Sequence, residues 1–248
     1  MRLDGATTSE VRAALKDALG AKAPFILAVP LGSLEQHGPH LPLDTDARIA
    51  VALAASLDDR LAGVGVAVSP PLAFGASGEH AGFEGTLSIG TAVLTEVLVE
   101  LVRSADAFDG VVLVSGHGGN ADAMAGSVAR LRAEGRRVTA WQPVLTGDRR
   151  DAHAGYAETS LMLAIAPDSV RIDLAEVGET RPLSEIWASL SKGGVASVSS
   201  NGVLGDPRGA NPEAGRALLA EMSDALGAHV ADFASGLARA RPVPGSAA

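Results

Sequence analysis

Short apolar runs alternate along the chain with segments whose apolar residues recur at helical spacing. The apolar runs are rich in β-branched residues and predict strands at 25–31, 64–69, 110–115 and 137–141. Helices are predicted at 46–61, 92–103, 120–134, 158–164 and 212–237. This alternation indicates an α/β fold with a mostly parallel sheet and helices on both of its faces.

Nothing along the sequence marks a boundary between domains. A single domain is therefore predicted for residues 1–248, with flexible ends at 1–8 and 240–248. The stretch 189–205 is rich in serine and glycine. It is interpreted as too polar for the core, and a loop or lid is expected there.

Composition excludes several classes of function. Twenty Lys and Arg against 29 Asp and Glu give a net charge of −9, which disfavours binding to nucleic acid or to an anionic membrane. Cysteine is absent, so a metal would have to be held by nitrogen and oxygen. No apolar stretch approaches the roughly 20 residues of a membrane span, and no signal peptide is evident. A soluble cytoplasmic protein is expected.

The first segment with candidate chemistry, residues 31–46, follows the first predicted strand. Glu35 and His37 are two apart, so on extended backbone their side chains point to one face, where they could hold a metal. Asp46 opens a predicted helix and could bridge two cations. The alternative for Asp46 is compensation of the helix dipole. Asp44 or Thr45 is the expected helix cap.

The second segment, Ser-Gly-His-Gly-Gly-Asn at 115–120, joins a predicted strand to a helix. Glycines flank His117 on both sides, so backbone can approach a ligand closely, and a metal ligand is favoured. A phosphate-binding loop is the alternative, but the glycine spacing and the lysine of such loops are missing. Ser115 as a nucleophile is disfavoured because no G-x-S-x-G motif surrounds it.

Two further segments add polar candidates. Glu158 starts a predicted helix and could reach a metal, while His153 lies in a loop that could approach substrate. A capping carboxylate and a surface histidine are the alternatives. Glu79 and His80 lie in another glycine-rich loop and could add to the site or simply lie at the surface. His40 is a candidate for supporting or contacting the substrate.

Together these segments provide carboxylates and imidazoles, the ligands that pairs of borderline divalent metals use. The predicted strands place them at the carboxyl edge of the sheet, where ligands bind in such folds. Two adjacent metals can turn a bound water into a nucleophile at neutral pH. A metal-dependent hydrolase is therefore predicted.

The segments also match a known family in their residues and in their order along the chain. Residues 34–46, 116–120 and 153–160, with 202–207 and 213–215 further along, resemble the creatininase (creatinine amidohydrolase) family. The likeness extends over about residues 24–233. It implies a three-layer α/β/α sandwich, two divalent ions per subunit (Zn, Fe(II) or Mn), hydrolysis of C–N bonds and a ring-like homo-oligomer such as a hexamer.

Carried over by position, the resemblance assigns a role to each candidate. The implied metal ligands, with Asp46 bridging, are Glu35, His37, Asp46, His117 and Glu158. His153 would assist proton transfer, and Glu158 is counted with it among the catalytic residues. Creatininase has a carboxylate where this chain has Gly119, which puts creatinine as the substrate in doubt and makes Glu158 the natural fifth ligand. The expected substrate-binding residues are Glu79, His80, Gly118 and Gly119, with the glycines leaving space above the metals.

Within the family, the short length and alanine-rich composition are most like a branch that acts on a peptide. Its members release a modified C-terminal Val-Tyr unit from a ribosomally made precursor peptide. Hydrolysis of another small or cyclic amide is the alternative. A further alternative is a non-catalytic subunit that binds a metal or a nucleotide. Such a subunit would need neither His153 nor a reactive water.

Overall fold

A computed structural model describes residues 1–144 and 151–240, with side chains described as far as Leu237. Four parallel strands form one sheet in the order β2-β1-β3-β4. They are β1 (Phe25–Leu31), β2 (Gly65–Val68), β3 (Gly110–Ser115) and β4 (Val138–Trp141). The helices are α1 (Thr8–Gly20), α2 (Thr45–Ala55), α3 (Gly90–Arg103), α4 (Ala121–Ala133), α5 (Tyr156–Ile165), α6 (Leu183–Gly193) and α7 (Pro212–Ala240).

The central strands are apolar along their whole length because both faces of the sheet are covered. In β1, Ile26 and Ala28 pack with residues of α2, α5 and α7 on one face. Leu27 and Val29 alternate with them and pack with α1, α3 and α4 on the other. The predicted α/β/α sandwich with a parallel sheet is therefore confirmed, and the strands lie within a few residues of their predicted bounds.

Two helices were not predicted. α1 begins with a capping box in which Glu10 N–H donates to Thr7 Oγ1 at 3.3 Å and Thr7 N–H donates to the Glu10 carboxylate at 2.6 Å. α6 covers the first part of the serine- and glycine-rich stretch. The interpretation of 189–205 as too polar for the core is wrong, because Val195, Val203 and Leu204 in it are buried.

The hydrogen bonds of the first residue bear on the flexibility predicted for the chain ends. The Met1 ammonium donates to Val66 O at 2.6 Å, and Val68 N–H donates to Met1 O at 2.8 Å, which ties the first residue to β2. Residues 241–248 lie outside the described residues. The single domain and its flexible ends stay predictions. In the described ranges, no helix is long and apolar enough to cross a membrane.

Helix α2 begins between the carboxyl ends of β1 and β3, and a glycine on each side makes this close approach possible. A Cβ at Gly116 would lie 2.2 Å from Asp46 O, and one at Gly32 would lie 2.5 Å from the Ala47 Cα. Asp44 is the N-cap residue but makes no capping bond. Its carboxylate accepts from Arg48 Nε at 2.8 Å instead. The backbone packing of α2 thus delivers Asp46 to the edge of the sheet.

Gly116→Ala is expected to lower the free energy of unfolding by about 1–3 kcal/mol, because its methyl group would overlap the backbone of Asp46. The matched control is Gly118→Ala, since a Cβ at Gly118 meets nothing within 4 Å. Urea unfolding of both variants checks the prediction. Equal stability of the two variants would show that α2 does not depend on this contact.

Candidate metal centre

The candidate ligands from distant parts of the chain converge at the carboxyl edge of the sheet. Glu35 and His37 follow β1, His117 follows β3, and Asp46 lies in the first turn of α2. In the described part of the chain, three groups hold their potential ligand atoms within 4.8 Å of one another. The groups are Glu35–Asp46–His117, His37–His153–Glu158 and Glu35–His80–His153.

Asp46 connects the first two groups through its two carboxylate oxygens. Oδ1 lies 3.1 Å from His37 Nε2, and Oδ2 lies 3.2 Å from His117 Nδ1. The Asp46 side chain is only 2% exposed, so it is not an ordinary solvated residue of a first helical turn. One carboxylate with an oxygen directed to each group has the arrangement that a bridging ligand needs.

The hydrogen bonds of two histidines show which ring nitrogen faces away from the carboxylates and which faces toward them. His37 Nδ1 lies 3.1 Å from Glu35 O, and His117 Nε2 lies 3.1 Å from Ala76 O. A carbonyl oxygen only accepts, so these nitrogens carry the protons. His37 Nε2 and His117 Nδ1 are therefore the nitrogens that face Asp46, and they would hold the lone pairs in the neutral rings that bind a metal. Metal-binding histidines are commonly oriented in this way, by donation from the ring nitrogen that does not bind.

Charge supports the same assignment. Burial lowers the pKa of His37, but the charge and hydrogen bond of Asp46 raise it more, to about 10. Burial also opposes charge on His117, yet hydrogen bonds that the ring donates to Asp46 and Glu35 raise its pKa well above 6.5. Glu35 Oε1 lies 3.3 Å from both His117 Nδ1 and His80 Nε2, and the other oxygen, Oε2, is buried without a hydrogen-bond partner. The centre thus favours added positive charge, and its nitrogen and oxygen donors fit divalent metals such as Zn, Mn or Fe(II).

Glu158, in the first turn of α5, provides the carboxylate of the second group. Its Oε2 lies 3.9 Å from His37 Nε2 and accepts from Ala154 N–H at 2.6 Å. Ala154 is buried and has a φ of 52°, in the left-handed region that non-glycine residues rarely adopt. This strained residue lies directly at the candidate site, where such conformations concentrate. Burial raises the pKa of Glu158.

His153 directs an unprotonated nitrogen into the site. Its Nε2 lies 2.7 Å from Gln36 O and must donate, which leaves the lone pair on Nδ1, 3.7 Å from Glu35 Oε1. Burial and the neighbouring His37 lower the pKa of His153 to about 4, so its ring is neutral near pH 7. Leu204 holds the loop in place, since Leu204 N–H donates to His153 O at 2.8 Å. His153 can therefore accept a proton or bind a metal.

The two glycines after His117 differ in the space beside them. A Cβ at Gly118 would meet nothing within 4 Å, as the expected open space requires. A Cβ at Gly119 would lie 2.5 Å from Glu79 Oε1 and 2.3 Å from His117 Nε2. The expectation of open space at Gly119 is wrong, because the His117 ring, the Ala76 carbonyl and the Glu79 carboxylate fill it. Glu79 Oε1 lies 3.5 Å from His117 Nε2, the side of the ring that faces away from Asp46.

Sequence reasoning missed two buried amides that support the site. Asn120 donates from Nδ2 to Gly32 O at 3.0 Å and accepts from Ala76 N–H at 3.0 Å, tying the end of β1 to the loop that carries Glu79. The Gln36 side chain contacts His80 and His153. Gln36 lies between two candidate ligands, and Asn120 ends the glycine-rich segment that contains His117, so their positions in the sequence were the available signal.

Ser115 and His40 lie near the centre in supporting positions. The Ser115 hydroxyl is fully buried and donates to His117 O at 2.8 Å, which removes the nucleophile alternative. His40 Nε2 lies 2.8 Å from Thr159 Oγ1, next to Glu158 on α5. It packs behind the second ligand group.

Comparisons with known proteins identify the family of this chain. The family model described as "Creatininase: Creatinine amidohydrolase" matches residues 6–230. The chain is 50% identical over 208 residues to the mycofactocin precursor peptide peptidase of Mycolicibacterium smegmatis, covering 82% of this chain and 83% of the relative. A single-site variant of creatininase superposes with a TM-score of 0.76 at 24% identity, covering 94% and 98% of the two chains. A solved structure named "Creatininase Mn" superposes with a TM-score of 0.75 at 24% identity, covering 93% and 97%. The chain belongs to the creatininase family.

Proposed function

We propose that this protein is a metal-dependent peptidase that releases the modified C-terminal Val-Tyr unit from the mycofactocin precursor peptide. The relative that is 50% identical carries the name of that peptidase, and its match extends over most of both chains. Membership of the creatininase family makes the chain a hydrolase of amide bonds. The peptide-processing branch that the sequence predicted is the branch to which this relative belongs.

The position of Asp46 is the observation that carries the proposal. One Asp46 oxygen lies 3.1 Å from His37 Nε2, and the other lies 3.2 Å from His117 Nδ1. The two histidines belong to separate ligand groups. We propose that Glu35, Asp46 and His117 hold one ion, and that His37, Asp46 and Glu158 hold the other. Zn, Mn and Fe(II) all suit these donors. The manganese in the name of one solved creatininase structure is consistent with that range.

Two such ions would lower the pKa of a water and polarise the amide carbonyl. The chain's own contribution to proton transfer is His153. Its Nδ1 lone pair, held by donation from Nε2 to Gln36 O at 2.7 Å, accepts the proton of the attacking water and passes it to the leaving nitrogen. The pKa of this ring is lowered to about 4, so the ring is neutral at the start of the reaction.

A peptide end suits this centre better than a small ring. Gly118 leaves free space beside the centre, while Glu79 fills the space beside Gly119. A longer substrate also brings contacts away from the scissile bond that position it, an effect able to supply several kcal/mol of barrier lowering. Creatinine offers none of these contacts. Hydrolysis of another small or cyclic amide remains the second candidate.

We expect the metal-loaded protein to release the Val-Tyr unit from the modified precursor peptide, with little or no hydrolysis of creatinine. Mass spectrometry after parallel incubations measures both reactions. A metal-stripped sample is the control for contaminating proteases. Efficient creatinine turnover beside an intact peptide would reject the peptide substrate and leave the metallohydrolase proposal in place. Metal binding without cleavage of any amide tested would favour a non-catalytic subunit.

The assembly and location of the protein are proposed from the family resemblance. We propose a ring-like homo-oligomer such as a hexamer, acting in the cytoplasm without nucleic-acid or membrane partners. Light scattering coupled to size-exclusion chromatography measures the assembly. A monomer under conditions of full activity would reject the oligomer.

A further inference from the structure

Gln36 lies between two ligand candidates in the sequence, and its buried side chain contacts two histidines of the centre. The backbone fixes the orientation of its amide. Gly38 N–H donates to Gln36 Oε1 at 2.9 Å, and Gln36 Nε2 donates to Gly202 O at 3.0 Å. A reversed amide would set a donor against the Gly38 N–H and an acceptor against the Gly202 carbonyl. The nitrogen of the amide is therefore the atom that faces the histidines.

That orientation determines the proton position on His80. Gln36 Nε2 lies 2.8 Å from His80 Nδ1, and an amide nitrogen only donates. His80 Nδ1 must then accept, which places the proton of the neutral ring on Nε2. That N–H lies 3.3 Å from Glu35 Oε1, inside the centre. His80 is 3% exposed, so water does not compete for this arrangement.

His153 presents the opposite kind of hydrogen-bonding group to the centre, an acceptor in place of a donor. Gln36 Nε2 uses its two protons on Gly202 O and His80 Nδ1, and His153 Nε2 donates to the backbone Gln36 O. His153 consequently presents a lone pair, whereas His80 presents a proton. One residue, Gln36, contacts both rings. Its side-chain Nε2 lies 2.8 Å from His80 Nδ1 and 3.0 Å from His153 Nε2, and its backbone carbonyl accepts the His153 proton at 2.7 Å.

We propose that Gln36 is a positioning residue that holds His80 as a hydrogen-bond donor beside Glu35, so that the Glu35–His80–His153 group does not bind a third metal. The inference rests on the proposed two-metal centre, which the other two groups form. His80 then offers a neutral N–H to oxygen atoms at the centre, such as those of Glu35. The substrate-binding role predicted for His80 would also use a donor, not a lone pair.

Nuclear magnetic resonance of the zinc-loaded protein with ¹⁵N-labelled histidine tests the proposal directly. Correlations between ring protons and nitrogens distinguish a protonated Nε2 from a protonated Nδ1. The His80 signals are identified by their loss in His80→Gln, with His229→Gln as the control for a remote histidine. We expect His80 protonated at Nε2, and zinc bound at two equivalents per chain. A proton on Nδ1, or an Nε2 that loses its proton when zinc is added, would overturn the proposal.

Two variants at His80 separate a donor from a ligand. Glutamine can present an N–H at the position of Nε2, whereas leucine cannot. We expect His80→Leu to weaken zinc binding about 10–100-fold, the usual effect of losing a group that supports a ligand. We expect His80→Gln to lose less than about 10-fold. Loss of one full zinc equivalent in both variants would make His80 a ligand and reject the proposal.

These readouts separate this proposal from the proposed function. The tautomer and the zinc count are measured without any peptide. A protein that cleaves no peptide but has His80 protonated at Nε2 would reject the substrate and keep the role of Gln36. Peptide cleavage together with a third zinc equivalent on His80 would keep the proposed substrate and reject the role of Gln36.

Discussion

Replacing Asp46 with alanine is expected to release both metal ions and to lower peptide cleavage at least about 10³-fold. Each Asp46 oxygen faces a different ligand group, so no remaining carboxylate connects the two. Stabilisation of developing charge by a metal is worth several kcal/mol, and each 1.4 kcal/mol corresponds to a tenfold change in rate. Metal analysis by mass spectrometry and the peptide assay measure the two effects.

Asp44→Ala is the matched control for this variant. Asp44 lies two residues earlier and pairs with Arg48 at the protein surface, away from the ligand groups. The Asp44→Ala variant should keep both metal ions and nearly full activity. Circular dichroism of both variants checks that they fold. Retention of two metal equivalents by Asp46→Ala would show that this carboxylate does not bridge.

Replacing His153 with alanine is expected to leave both metal ions bound and to lower turnover about 10²–10⁴-fold, the usual contribution of a proton-transfer group. The neutral ring is directed into the site by its bond to Gln36 O, and Glu35 lies 3.7 Å from its free nitrogen. His229→Ala is the control, since that ring contacts Thr139 away from the centre. Added imidazole should partly restore turnover in His153→Ala.

The structure leaves a specific alternative for His153. His153 also belongs to the group with His37 and Glu158, so it has the position of a ligand as well as of a base. If His153→Ala loses one metal equivalent in parallel with activity, His153 is a ligand and the proton carrier must be sought elsewhere.

The strands and the location of the site could be predicted because both depend on local patterns. The apolar run at 25–31 matches β1 at both ends, and the glycine-rich segment around His117 follows β3 as expected. Parallel strands share a carboxyl edge, so residues following β1 and β3 had to be neighbours. The side chains at 35, 37, 46, 117 and 158 do lie together in the structure.

What could not be predicted depends on contacts between distant residues. The space at Gly119 is filled in part by Ala76 O and Glu79, some 40 positions earlier, and no local pattern contains those two contacts. The serine- and glycine-rich stretch is polar in composition, yet Gly202 is where the Gln36 side chain bonds to backbone. The proton positions on His80 and His153 likewise follow from Gln36, whose amide orientation is set by backbone groups far apart in sequence.

The two-ion centre bridged by Asp46 is tested most directly by anomalous diffraction from crystals of the protein grown with zinc or manganese. We expect two anomalous peaks per chain on either side of the Asp46 carboxylate. One should contact Glu35 and His117, and the other His37 and Glu158. A single peak, or two peaks of which either fails to contact Asp46, would contradict the bridged two-metal centre.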